Sequence, residues 1–217
     1  MIVLGLTGSI GMGKSTAAGM LRRMGVPVCD SDAVVHELLG PGGAAVAPVG
    51  RAFGGVVKGG AVDRAALGRR VFSDPQALKR LEAIVHPLVR AAQDAFLKRM
   101  AARREPVVVL DVPLLFEVGT DALCDATIVV TAPRFLQDQR VLRRPGMTRE
   151  RMEGALARQM PDREKRRRAN FVVQTGLGKR ETLNRLTDIV TLAQDWRPAK
   201  WPPKASRVRG TDARDRS

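Results

Sequence analysis

The chain contains no tyrosine, and aromatic residues make up only 4% of its 217 positions. A platform on which unpaired bases stack needs several aromatic faces, so the composition argues against a single-strand nucleic-acid binder. There are two cysteines, Cys29 and Cys124. Neither belongs to a C-x-x-C step or a Cys/His ligand spacing, which argues against a thiolate metal centre and for reduced, structural thiols. No uninterrupted apolar stretch approaches the roughly 18 residues that cross a bilayer, and the apolar start lacks the basic flank of a signal peptide. A cytoplasmic protein with no membrane partner is expected. The sequence also lacks internal repeats and an Asn-Lys-x-Asp guanine-reading motif.

Positive charge is abundant. Lys and Arg number 37 against 22 Asp and Glu, a formal net charge of +15 at pH 7. Part of the excess is in residues 197–217, with seven bases against two aspartates, and another part in Arg163–Arg168, with five bases against Glu164. Such a field either attracts polyanionic small molecules or is in part ordinary surface arginine. Nucleic acid is not expected as a partner. The length and a 44% hydrophobic content suit one α/β domain with insertions.

The segment that carries chemistry is Gly8-Ser9-Ile10-Gly11-Met12-Gly13-Lys14-Ser15, which follows the apolar run Ile2–Leu6 and fits G-x-x-x-x-G-K-[ST]. Glycines let the loop curl so that successive backbone N–H groups point at phosphate oxygens, and a helix starting near Lys14 adds the positive end of its dipole. Lys14 then reaches the β and γ phosphates as a point charge, and the Ser15 hydroxyl takes a ligand position on Mg²⁺. The expected ATP-binding residues are Gly8, Gly11, Met12, Gly13, Lys14, Ser15 and Thr16. Ala17, Met20, Leu21 and Met24 repeat at helical spacing until Gly25 and Pro27. A second Gly-Lys step, in Gly176-Leu177-Gly178-Lys179-Arg180, lacks the first glycine and the hydroxyl and reads as an ordinary turn.

Strand-like runs at Ile2–Leu6, Pro27–Cys29, Val107–Leu110, Thr127–Val130 and Phe171–Val173 alternate with helix-periodic segments. That rhythm predicts a doubly wound, five-stranded parallel sheet with helices on both faces, the architecture of P-loop nucleotide-binding proteins. Gly40–Gly60 reads as a flexible connection. Two helices are expected after it, one opening at Ser73-Asp74-Pro75 with Leu78, Leu81 and Val85 inward, the other running from Pro87 to Arg103. Arg134–Arg144 reads as a helix, broken at Pro145-Gly146 and resumed after a possible Thr148 cap, which makes an arginine-rich helical lid. A last helix carries Leu183, Leu186, Val190 and Ala193, and Pro202-Pro203 predicts disorder beyond it. The domain therefore spans 1–197. Its nucleotide-binding core covers about 1–40, 105–139 and 169–197, the helical insertion 41–104, the lid 140–168, and a basic tail 198–217.

Other candidates cluster at expected strand ends. In an open parallel sheet the carboxyl edge faces the ligand, so Asp30 and Asp32 after the second strand stand beside the phosphate loop. Asp32 suits a proton acceptor for a substrate hydroxyl, and Asp30 suits either that site or a helix cap. Asp111 delivers an acid either to Mg²⁺ or to a turn cap. His86, ahead of a proline, satisfies a turn or contacts substrate.

The sequence resembles the dephospho-CoA kinase family. The matching pieces are Gly5–Thr16, Gly25–Asp32, Val85-His86-Pro87-Leu88-Val89-Arg90, Asp111–Glu117 and Arg158-Gln159-Met160-Pro161. The resemblance implies ATP-dependent phosphorylation of the ribose 3′-hydroxyl of dephospho-CoA, with Mg²⁺, as the last step of coenzyme A synthesis. It implies that Asp32 takes the hydroxyl proton, that Arg140 and Arg144 are lid arginines, and that His86 and Arg90 meet the dephospho-CoA side. The chain departs from the family at the last strand, which ends in Gln174-Thr175, and at Pro145 in the lid. A nucleoside or nucleotide kinase and a nucleotide-gated RNA-binding protein are the rival readings. Oligomeric state cannot be read from the sequence.

Overall fold

In the computed structural model, which describes residues 1–71 and 74–202, five parallel strands form one sheet in the order β2-β5-β1-β6-β7. The strands are β1 (Ile2–Thr7), β2 (Val28–Asp30), β5 (Val107–Asp111), β6 (Ala126–Thr131) and β7 (Phe171–Gln174). Four extend their expected apolar runs by one residue at one or both ends, and β2 is shifted by one residue from Pro27–Cys29. Leu4 at the centre pairs with Val109 on one side and Ala126 on the other.

Alternate side chains of these strands enter two different cores, which is why the runs are apolar throughout. Ile2, Leu4 and Leu6 point to one face, where α1 (Lys14–Arg23) and α9 (Lys179–Gln194) cover them with Ala17, Leu21, Leu186 and Val190. Val3, Val108 and Leu110 point to the other face, against Phe96, Leu97 and Met100 of α5 (Pro75–Ala102). Trp196, just beyond α9, stacks on Phe171 with ring centres 5.9 Å apart.

Two expectations for the insertion are corrected. Segment 40–60 is not merely a flexible connection: after α2 (Ser31–Leu39) it forms α3 (Val46–Phe53) and a small hairpin of β3 (Val57–Lys58) and β4 (Ala61–Val62). Val49 and Phe53 lie one turn apart on the buried face of α3. Pro48 falls in the first turn, where a missing N–H leaves no helical bond unmade. Gly50 is there for packing, because a Cβ would sit 2.9 Å from Val57. After α4 (Arg64–Val71), the two expected helices are one 28-residue helix, α5, with Pro87 inside it. Pro87 is exposed, and so is Ala83, whose carbonyl loses its helical partner. With both residues on the exposed side of the helix, the lost bond is tolerated.

Asp74 caps α5, accepting from the N–H groups of Gln76 and Ala77. The expected partner Ser73 lies outside the described residues. The amino-terminal half of α5 packs into the insertion's own core with Val49, Phe53 and Leu67, and its carboxyl-terminal half packs on the sheet. One rigid rod thus joins insertion and nucleotide-binding core.

The segment expected to form the lid, 140–168, holds the end of α6 (Arg134–Leu142), then α7 (Arg149–Ala157) and α8 (Asp162–Arg168). Thr148 caps α7 as expected, its hydroxyl accepting from Arg151 N–H. The tail expected to be disordered from 198 is anchored at its start: the N–H groups of Ala199 and Lys200 donate to Asp125 Oδ1 at 2.8 and 3.0 Å. Trp201 packs against the core on the α5 side of the sheet. Residues 203–217 lie outside the described residues. Among the described residues, no helix is long and apolar enough to cross a membrane.

Candidate active site

All site segments leave the carboxyl edge of the sheet. Gly8–Gly13 connects β1 to α1, Ser31 and Asp32 follow β2, Pro113 follows β5, and Thr175 follows β7. Together with lid residues they enclose a cavity of about 540 Å³. Gly8, Gly11, Gly13, Lys14, Ser15 and Thr16 line it, as the motif predicts. Gly13 caps α1 with φ 90°, in the left-handed region that favours glycine. Met12 is the exception among the expected nucleotide contacts. Its side chain is buried in the core, its thioether sulfur accepts from Ala132 N–H, and its own N–H donates to Ser9 O.

Lys14 is the electrostatic centre. Its Nζ lies 2.7 Å from Asp111 Oδ1 and 3.8 Å from Asp32 Oδ2. Burial pushes the Asp111 carboxyl above the usual carboxylate range, and the neighbouring Lys14 ammonium draws it part of the way back. Asp111 is therefore not the turn cap that the sequence left open. Asp30 is a cap, its Oδ1 accepting from the N–H groups of Asp32 and Ala33 at the start of α2. That contact fixes the first turn of α2 and leaves the Asp32 side chain exposed at the cavity edge, 72% accessible.

From α6 and the turn after it, Arg140 and Arg144 also line the cavity. The Arg140 guanidinium donates to the Thr175 carbonyl and hydroxyl, each at 3.0 Å, and to Gly11 O at 3.4 Å. The Thr175 hydroxyl in turn donates to Met12 O at 2.8 Å. Arg140 is thus locked into the wall through Thr175, while Arg144 stands exposed in the turn after α6. The lid base is held by a buried charge: Lys165 Nζ pairs with Glu117 Oε1 at 3.0 Å and donates to Pro113 O at 3.1 Å. Glu117 Oε1 also accepts from Met160 N–H at 2.7 Å, so the one carboxylate ties Lys165 to the segment that carries Gln159.

A second groove, about 300 Å³, opens beside the first. His86 and Arg90, one turn apart on α5, line it with Val35, Leu39, Leu81 and Val85. Asp32 and Pro113 belong to both spaces. The expected substrate residues are therefore gathered around one boundary.

Sequence reasoning missed part of the wall. Gln159, Lys179 and Thr182 line the phosphate cavity, although Gly176–Arg180 reads as an ordinary turn. Gly178 is the amino-terminal cap of α9, which brings Lys179 to the site. The one usable signal was Gln159, within Arg158-Gln159-Met160-Pro161. Among the described residues no group of three or more His, Cys, Asp or Glu is arranged to hold a metal ion.

A glycine-rich loop turning from a central parallel strand into a helix, with a lysine at its end and arginines opposite, defines a P-loop phosphotransferase. Comparison with known proteins gives the family. The model for "Dephospho-CoA kinase" matches residues 2–179. A dephospho-CoA kinase from Paramagnetospirillum magneticum is 62% identical over 199 residues, covering 92% of this chain and 94% of that protein. Among solved structures, TT1252 from Thermus thermophilus is 41% identical with a TM-score of 0.78, over 88% of this chain and 96% of that one. Dephospho-CoA kinase from Campylobacter jejuni, 23% identical over 87% of this chain and 95% of its own, shares the fold with a TM-score of 0.66. The chain belongs to the dephospho-CoA kinase family.

Proposed function

We propose that the chain transfers the γ-phosphoryl group of ATP to the ribose 3′-hydroxyl of dephospho-CoA, giving coenzyme A and ADP, the last step of coenzyme A synthesis in the cytoplasm. The observation that carries this reading is the position of Asp32. It lines both the phosphate cavity and the adjoining groove, 3.8 Å from the ammonium of Lys14. A hydroxyl held in the groove at Asp32 faces the end of a triphosphate held in the cavity. The groove's valine and leucine lining suits the pantetheine arm, and His86 and Arg90 suit the charged part of the acceptor.

Phosphoryl transfer passes through a loose transition state, so alignment and charge neutralisation dominate over covalent work by the protein. Asp32 orients the 3′-hydroxyl and accepts its proton as the oxygen bonds to phosphorus and the bond to the β–γ bridging oxygen breaks. Lys14 and the N–H groups at the start of α1 hold the phosphates, and Arg140 and Arg144 balance the charge that spreads over the transferring group. A well-placed transition-state arginine is worth about 10³ to 10⁵ in rate, against about 10² to 10⁴ for a positioned base.

The donor set fits Mg²⁺, which binds oxygen through one or two carboxylates or hydroxyls together with substrate phosphates. The Ser15 hydroxyl lines the cavity and the Asp111 carboxylate stands against Lys14, hard oxygen donors both. These two would hold the ion, which would supply charge neutralisation on the phosphates.

An ADP-release assay over an acceptor panel tests the assignment. Dephospho-CoA is expected to exceed AMP, CMP and shikimate by a wide margin. Preference for any of those three would make the chain a different small-molecule kinase.

A further inference from the structure

Ile10, in the middle of the phosphate loop, is gripped by two carboxamides from the lid side. Gln137 Nε2 donates to the Ile10 carbonyl at 2.8 Å, and Ile10 N–H donates to Gln159 Oε1 at 3.0 Å. A backbone N–H can only donate, so chemistry fixes which end of the Gln159 amide faces the loop. Its Nε2 is the other end, and Gln159 lines the phosphate cavity with Lys14, Asp32 and Arg144. The next residue is fixed as well, because Met160 N–H donates to Glu117. Gln159 is therefore held by its own side chain at Ile10 and by the backbone of the next residue at Glu117, and its Nε2 carries two N–H donors.

We propose that Gln159 Nε2 donates a hydrogen bond to the γ-phosphoryl group of bound ATP, which makes Gln159 a catalytic residue and the point at which the lid senses the third phosphate. This rests on the reading of the cavity as an ATP site. The start of α1, with Gly13, Lys14 and Ser15, takes the β-phosphate on the helix side of the loop. Gln159 bonds the loop at Ile10, four residues ahead of Lys14 and the start of α1, and shares the cavity with Asp32 and Arg144, so the phosphate assigned to it is the terminal one. As a neutral donor it supports the transferring oxygens without adding the charge that would hold product. Its orientation is set before nucleotide arrives, because the contact with Ile10 belongs to the protein alone.

Two variants separate donation from clamping. Gln159→Glu keeps an oxygen for Ile10 N–H but offers no donor, and Gln159→Met keeps the length and loses both contacts. Dissociation constants for ADP and for the β,γ-imido analogue of ATP are measured by calorimetry with Mg²⁺ and no acceptor. Both variants are expected to bind ADP within about threefold of the parent and the imido analogue at least about tenfold more weakly. In turnover, kcat is expected to fall at least about thirtyfold. Equal weakening of both nucleotides, or a Gln159→Glu variant that holds the imido analogue within threefold, would reduce Gln159 to a loop clamp and overturn the proposal. The dissociation constants are measured without acceptor, so a mistaken acceptor leaves them unchanged.

Discussion

The ammonium of Lys14 rests against a carboxylate that is almost wholly enclosed: Asp111 is 1% exposed and its Oδ1 is 2.7 Å away. Each charge offsets the cost of burying the other, and the contact directs the lysine across the mouth of the phosphate loop. Lys14→Met is expected to abolish turnover. It also strands Asp111, whose carboxyl then rises further above its ordinary range. A carboxyl with a folded pKa above its unfolded one binds protons more readily when folded, so stability is greater at low pH and falls as pH rises through that window. Urea unfolding should therefore show a larger deficit for Lys14→Met at pH 8 than at pH 5.

Asp32 is exposed and makes no contact on which the fold depends, so its loss should be confined to chemistry. Asp32→Asn is expected to keep ATP binding while slowing transfer at least about a hundredfold. Calorimetry with the imido analogue and single-turnover rates check the two halves separately. A near-normal kcat would remove Asp32 from the reaction.

Lys165 is fully buried, and Glu117 is its only acidic partner among the described residues. Removing one member of such a pair costs about 3–5 kcal/mol, whereas replacing both with apolar groups can be nearly neutral. Glu117→Ala is expected to destabilise by about 3 kcal/mol, and Glu117→Leu with Lys165→Met to restore most of the loss. Denaturant unfolding of Glu117→Leu, Lys165→Met and their double variant closes the cycle. Additive effects would show that the pair is not coupled.

Both thiols should be inert in the native protein. Burial, with help from neighbouring carboxylates, pushes Cys29 up to about 11 and Cys124 up to about 12. At pH 8 neither forms appreciable thiolate, so a disulfide reagent should label them only on unfolding. Above the unfolded-state thiol pKa, near 9, the unfolded chain releases protons that the folded chain retains. Stability should then fall by up to about 1.4 kcal/mol per pH unit for each thiol. A Cys29→Ala, Cys124→Ala double variant should flatten that slope between pH 9 and 10.5.

The parallel sheet was legible because strands buried on both faces leave unbroken apolar runs, and the phosphate loop because its glycines, lysine and serine are close in sequence. Pro87 misled because proline after a histidine resembles a helix start; an exposed proline costs one bond to water, and packing on two cores holds α5 together across it. Segment 40–60 misled for a related reason. Its glycines and alanines lower local propensity, while the burial of Val49 and Phe53 supplies what propensity lacks. Gln159, ahead of α8, and Lys179 and Thr182, both on α9, escaped because they meet the phosphate loop only in space, and periodicity within a segment carries no distance between segments.

Asp32 and Pro113 form a party wall shared by the two chambers. A single molecule that joins an adenosine polyphosphate to the 3′-oxygen of dephospho-CoA would occupy both at once. Its second half would bind as an intramolecular event, at an effective concentration far above that of either free substrate. Inhibitors of such a shape would need both chambers, a requirement that kinases without the valine-lined groove do not meet.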